Sequence, residues 1–118
     1  MHGHYKHDAT HTGSMMLSLI FCLGLSYKMR ITKAQARRLA KDFDIDLEVV
    51  SFESWHFGLN VELEHGRKFG KLTNITNNST KLSAKIAIAH LMEFPDYYSR
   101  LRKMEDRAEE YWSRRKTP

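Results

Sequence analysis

"SFESWHFGLNVELEHG", residues 51–66, is the stretch on which the fold turns. Behind Ser51 comes an apolar run in which Phe52, Trp55, Leu59 and Leu63 recur at spacings of three and four, the signature of one buried helical face. A hydroxyl side chain just ahead of such a run is an N-cap, because its oxygen accepts from a backbone N–H that has no partner in the first turn. Gly66 closes the pattern as a left-handed stop. The spacing therefore predicts a helix from Ser51 or Phe52 to His65. It also sets three ionisable groups, Glu62, Glu64 and His65, at the end of a partly apolar helix.

Upstream, Thr32 with Gln35 fits a capping box, and Ala34, Leu39, Ala40 and Phe43 continue an apolar stripe to about residue 43. "DID", residues 44–46, is a break, and "LEVVSF", residues 47–52, is the one candidate for a short strand. Downstream, residues 67–80 read as a polar loop. Its three glycosylation sequons carry little weight without a secretory signal. A third helix is predicted over 81–94, apolar nearly all round through Leu82, Ile86, Ile88, Leu91 and Met92, and therefore central. Pro95 ends it and suits the first turn of a fourth helix over 96–115. There Tyr97, Leu101, Met104, Ala108, Tyr111 and Trp112 share a face that reads as core. The expected fold is all-α: a small bundle of about four helices with one possible extra N-terminal element. Its core would be Phe52, Trp55, Leu59, Ile86, Leu91, Leu101, Met104 and Trp112.

A chain of 118 residues has room for one domain with a single modest core. With 42% hydrophobic and 28% charged residues it is an ordinary globular sequence rather than a disordered one. Cys22 is the sole cysteine, which excludes an intramolecular disulfide and a cysteine-rich zinc site. The formal charge of +5 permits an acidic partner without demanding one. Residues 1–14, with His2, His4, His7 and His11 before Gly13-Ser14, read as a purification tag and cloning scar. Residues 15–28 form an apolar N-terminal extension too short to span a bilayer, and residues 29–118 form the helical domain. A cytoplasmic protein, of a bacterium or an infected host cell, is the expectation.

The candidate site comes from two pairs. Residues three apart on a helix lie on one side, with Cβ atoms about 5–6 Å apart. Glu62 pairs in this way with His65, and His90 with Glu93. Both pairs fall on or beside apolar faces, so the carboxylates need hydrogen bonds, countercharges or a metal. Three readings stand: two imidazoles and two carboxylates around one Zn²⁺, Mn²⁺ or Fe²⁺ ion; a metal-free polar network that fixes helix register; or an acid and a base facing a cleft. The pattern argues against ferritin-like di-iron chemistry, because one pair is reversed and the further glutamates are missing. Glu64 falls on the opposite side and reads as a solvated surface charge.

The blocks "GLNVELEHG", "TNIT" and "KIAIAHLMEFPDYYSRLRKME" together resemble a family of small bacterial, phage and viral proteins of unknown function. The resemblance covers roughly residues 31–108 and rests on Gly58, Glu62, Glu64, His65, Gly66, Asn74, Thr76, His90, Glu93, Pro95, Asp96, Tyr97 and Tyr98. Where that family's loops continue with acidic residues, this chain reads Asn77-Asn78-Ser79-Thr80, which argues against a calcium or magnesium loop. The resemblance implies a domain and a site but no reaction. The residues themselves point to a non-catalytic accessory or interaction protein with a central Glu/His cluster. Two alternatives remain. One is a weak nucleic-acid-binding module using the basic first helix (Lys33, Arg37, Arg38, Lys41) and the C-terminus. The other is a metal-dependent enzyme, although no paired nucleophile, phosphate loop or H-E-x-x-H motif is present.

Overall fold

Three of the helix starts are set by hydroxyl side chains. Thr32 Oγ1 accepts from the Gln35 backbone N–H at 3.1 Å while Gln35 Oε1 accepts from the Thr32 N–H at 2.8 Å, the reciprocal capping box. Ser51 Oγ accepts from Ser54 N at 3.1 Å, and Ser79 Oγ accepts from Leu82 N at 3.1 Å. In this computed structural model, which describes residues 31–116, the caps open α1 (Lys33–Asp42), α2 (Phe52–Leu63) and α3 (Thr80–Glu93). The fourth helix, α4 (Tyr97–Lys116), follows a break at Phe94-Pro95, and two short 3-10 turns, Arg67–Phe69 and Lys71–Thr73, lie between α2 and α3. Phe94 is extended (φ −153°, ψ 143°), the conformation a following proline favours. The tag-like stretch and the apolar stretch 15–28 lie outside the described residues.

The fold is all-α, and no strand occurs among the described residues. "LEVVSF" turns instead of extending. Asp44 takes a left-handed φ of 56°, Asp46 Oδ1 accepts from Glu48 N at 2.9 Å, and the Asp46 carbonyl accepts from Val49 and Val50 N at 3.1 and 3.0 Å. Those contacts take up the backbone donors that a strand would offer to a neighbour. Gly66 is not the left-handed stop expected of it. Its φ is −96°, and α2 ends earlier, at Leu63. The glycine is needed for space, since a Cβ there would collide with Asn78 Oδ1 and stand 2.8 Å from the Asn78 backbone nitrogen.

The central helix is α2, not α3. Along α2, Trp55, His56, Phe57, Gly58, Leu59, Asn60, Glu62 and Leu63 are all buried. On α3 burial is confined to Ser83, Ala84, Ala87 and Leu91. The small side chains let the two helices approach closely, while Leu82 and Met92 remain 45% and 81% exposed and Ile86 is half-buried. On α1 the buried stripe is Ala36, Leu39 and Ala40, and Ala34 faces solvent. Phe52 and Leu101 pack partly buried against the core of Trp55, Leu59 and Leu91.

The largest departure is on α4. Tyr98 is fully buried and Tyr97 and Leu101 partly so, but Met104, Tyr111 and Trp112 are 50%, 49% and 58% exposed. A 20-residue helix is about 30 Å long, against about 18 Å for the 12 residues of α2. The stripe runs on past the helix that covers its beginning. Leu59→Ala should therefore cost about 2–5 kcal/mol in urea unfolding. Trp112→Ala should stay within about 0.5 kcal/mol of wild type. A Trp112 loss as large as that at Leu59 would contradict this burial pattern.

Candidate functional site

Glu62 lies one turn after Gly58 on α2, so both face the same neighbour. That neighbour is Tyr98, in the first turn of α4. A Cβ on Gly58 would stand 2.6 Å from Cδ2 and Cε2 of the Tyr98 ring, so only glycine leaves a seat for it. From that seat the Tyr98 hydroxyl donates to Glu62 Oε2 at 2.6 Å, with Glu62 4% and Tyr98 0% exposed. The spacing Gly58-x-x-x-Glu62 thus holds a ring with the glycine and its hydroxyl with the carboxylate.

Two imidazoles flank the same carboxylate. His65 Nε2 lies 3.6 Å from Glu62 Oε1 and His90 Nε2 lies 3.9 Å from Oε2. Both are within ion-pair reach and beyond hydrogen-bond length. The His65 side chain is 57% exposed and that of His90 34%. Tyr97 stacks on the His90 ring, centroids 4.3 Å apart at 12°, and Tyr98 meets it edge-on at 6.1 Å. The two consecutive tyrosines therefore divide the site, Tyr97 covering His90 and Tyr98 bonding Glu62.

Glu93 does not join them. The buried side of α3 ends in Leu91, and a residue two positions on points about 200° away, so Glu93 is exposed. The expected set of Glu62, His65, His90 and Glu93 is not assembled. Among the described residues no group of three or more His, Cys, Asp and Glu side chains is placed to hold a metal ion. Glu64 lies outside the cluster and pairs with Lys68 at 3.4 Å. Asp96 accepts from Arg100 Nε at 2.8 Å on the surface.

The Asn-rich loop is braced by its own side chains. Asn74 Oδ1 accepts from Asn77 N at 2.8 Å, Asn78 Oδ1 from Arg67 N at 2.9 Å, and Asn77 Oδ1 from Arg67 Nε at 2.7 Å. The His65 carbonyl accepts from Ile75 and Thr76 N at 2.6 and 3.1 Å, and Thr76 is buried. Asn77 and Asn78 take φ of 52° and 65°, the left-handed region that asparagine tolerates best among side-chain-bearing residues. Asn74 and Thr76 are thus parts of the brace that returns the chain to α3.

Two residues escaped the sequence reading. Asn60 grips both sides of one peptide: its Oδ1 accepts from Ile31 N at 2.9 Å, and its Nδ2 donates to Ile31 O at 3.2 Å and to His56 O at 3.0 Å. His56 Nε2 donates to the same Ile31 carbonyl at 2.6 Å. The available signal was two polar side chains four apart inside an apolar run. The bonding role of Tyr98 had no signal of its own, because its partner is 36 residues away.

Burial pushes the Tyr98 phenol well above its ordinary range, and the hydrogen bond to Glu62, the Glu62 charge and Tyr97 add to the shift. It stays protonated as a donor and is no base at neutral pH. Glu105 on α4 is also raised, first by partial burial and then by the charges of Glu64, Asp106, Glu109 and Glu62.

The family model described as a protein of unknown function, DUF5661, matches residues 36–107. The chain belongs to that family. No curated protein and no solved structure matches it. The match runs from within α1 to the middle of α4 and encloses the whole cluster.

Removing the phenol oxygen leaves the buried carboxylate without its donor, so Tyr98→Phe should lose about 1.5–3 kcal/mol at neutral pH. The alkaline limb adds an independent check. The folded phenol titrates above the ordinary 10.0, so as pH rises the unfolded chain releases this proton first. Stability should fall above about pH 10, approaching about 1.4 kcal/mol per pH unit from this group. Urea titrations near pH 8 and about pH 11 should show that component in wild type and not in Tyr98→Phe. Equal slopes would mean that Tyr98 ionises as freely folded as unfolded.

Proposed function

We propose that this member of the DUF5661 family is a non-catalytic accessory or interaction protein whose Glu62, Tyr98, His65 and His90 network is structural. The Glu62–Tyr98 bond carries this reading, because a carboxylate 4% exposed and a phenol 0% exposed can meet a reagent only if the core opens. Buried polar networks of this kind hold neighbouring elements in one register. Here the network joins α2 to the first turn of α4 and to the end of α3.

A metal centre is less well supported. With Glu93 on the surface, a Zn²⁺, Mn²⁺ or Fe²⁺ ion would have Glu62, His65 and His90, and one Glu62 oxygen already accepts from Tyr98. The proposed nucleic-acid surface on α1 and the C-terminus is partly spent on intramolecular contacts. The Arg37 guanidinium sits 4.1 Å over the Phe52 ring, Arg115 covers Tyr111 at 4.3 Å, and Arg114 pairs with Glu110. What supports an interaction role is the outer surface, where Phe69, Leu72 and Ile75 are 51%, 90% and 73% exposed.

Thermal melting of protein freed of residues 1–14, with and without chelator, tests the structural reading. Wild type should melt at the same temperature in both. His90→Ala should lose about 1 kcal/mol, mostly from the stack on Tyr97, and should be equally indifferent to chelator. Stabilisation by added Zn²⁺ that disappears in His90→Ala would replace the network with a metal site.

A further inference from the structure

From His65 to Met92 the sequence contains Arg67, Lys68, Lys71, Lys81 and Lys85 and no Asp or Glu. The whole chain has 19 basic and 14 acidic residues, so the rest balances at 14 against 14 and this stretch carries the entire +5. The same stretch displays large aliphatic side chains. Leu72, Ile75 and Met92 are 90%, 73% and 81% exposed, and Phe69 and Leu82 about half. On α3, Leu82, Lys85, Ala89 and Met92 recur at helical spacing and are all exposed, forming with Glu93 at its end the outward stripe opposite Ala84, Ala87 and Leu91. The Asn brace and the second 3-10 turn, Lys71–Thr73, fix the backbone that presents Leu72.

We infer that the 67–75 loop and the outer stripe of α3, neighbours in the chain, together form one face that docks the protein on an anionic phospholipid surface. The inference rests on the interaction role proposed above and names its partner. A bilayer interface accepts both halves of the pattern: headgroup phosphates meet Lys and Arg, and the acyl boundary accepts Leu72 and Ile75. A nucleic acid would use the cations but gain little from aliphatic side chains, since base stacking calls for aromatic ones. A groove for an acidic peptide helix would shelter its apolar lining in part, whereas Leu72 stands 90% exposed. Lys68 is engaged by Glu64 at 3.4 Å and Arg67 Nε by Asn77 Oδ1 at 2.7 Å, which leaves Lys71, Lys81 and Lys85 as the principal headgroup contacts. None of the described helices is long and apolar enough to cross a membrane.

The full chain is tested by co-sedimentation with phosphatidylglycerol-containing vesicles and with pure phosphatidylcholine vesicles. Binding is expected to the anionic vesicles only, weakening as salt is raised. Leu72→Asp, and separately Lys71→Glu with Lys85→Glu, should each reduce it by at least about tenfold. All three positions are exposed, so circular dichroism should stay unchanged. Leu72→Trp should show a blue-shifted emission on adding anionic vesicles. Binding untouched by these substitutions, or equal on neutral vesicles, overturns the assignment of this face. Capture of duplex DNA or of an acidic amphipathic peptide, lost in the same variants while vesicles stay free, overturns the lipid partner and keeps the interaction role. Binding to none of the three probes overturns the lipid partner and removes the support this face lends to that role.

Discussion

A carboxylate in the middle of a small hydrophobic domain is tolerable only when something gives it a proton to accept, and here that donor is one phenol. The Glu62–Tyr98 bond, 2.6 Å long and closed to solvent, is the constraint around which the rest is arranged. It requires glycine at position 58, because the ring that carries the hydroxyl occupies the space of a Cβ. It requires α4 to begin where it does, because Tyr98 must arrive in the first turn. Pro95 and the extended Phe94 set that arrival by stopping α3 and redirecting the chain. Tyr97 and His90 then stack as a consequence of the same turn.

The central helix holds polar side chains inside while the periphery holds apolar ones outside. Along α2, His56, Asn60 and Glu62 are buried, and each has found a distant partner: the Ile31 peptide for the first two, Tyr98 for the third. Such partners make buried polar groups specific rather than merely costly, since each can be satisfied in one arrangement of the elements. Trp55 adds a further tie by donating its indole N–H to Ala36 O at 2.9 Å, fixing α1 against α2. With α2 consuming this much specificity, α3 needs to offer little more than small residues. Its larger side chains are free to face outward.

That freedom links the fold to the surface. Ala84 and Ala87 bring α3 close to α2, and Leu82, Lys85 and Met92 are left outside with the loop that precedes them. Asparagine side chains hold the loop's shape, and Phe69, Leu72 and Ile75 are left exposed. A basic, aliphatic face is therefore the by-product of how the interior is satisfied.

Local signals in the chain determined a good deal. The hydroxyl caps at Thr32 and Ser51, the break at Pro95 and the three-and-four spacing of Trp55, Leu59 and Leu63 located helices, because capping and periodicity act within one or two turns. The spacing of Glu62 with His65, and the inward tilt of His90, also located three members of the cluster. Tertiary structure decided what those signals cannot carry. A helical wheel says which residues share a side, but not how far a neighbour extends along it, so Met104 and Trp112 read as core and stand in solvent. It equally cannot say which of two apolar helices the others surround, so α3 was expected at the centre that α2 occupies. Glu93 shares a side with His90, yet it lies about 200° round the helix from buried Leu91 and stays outside. Tyr98 could be assigned to Glu62 only by packing, because a hydrogen bond across 36 residues leaves no periodic trace in the chain.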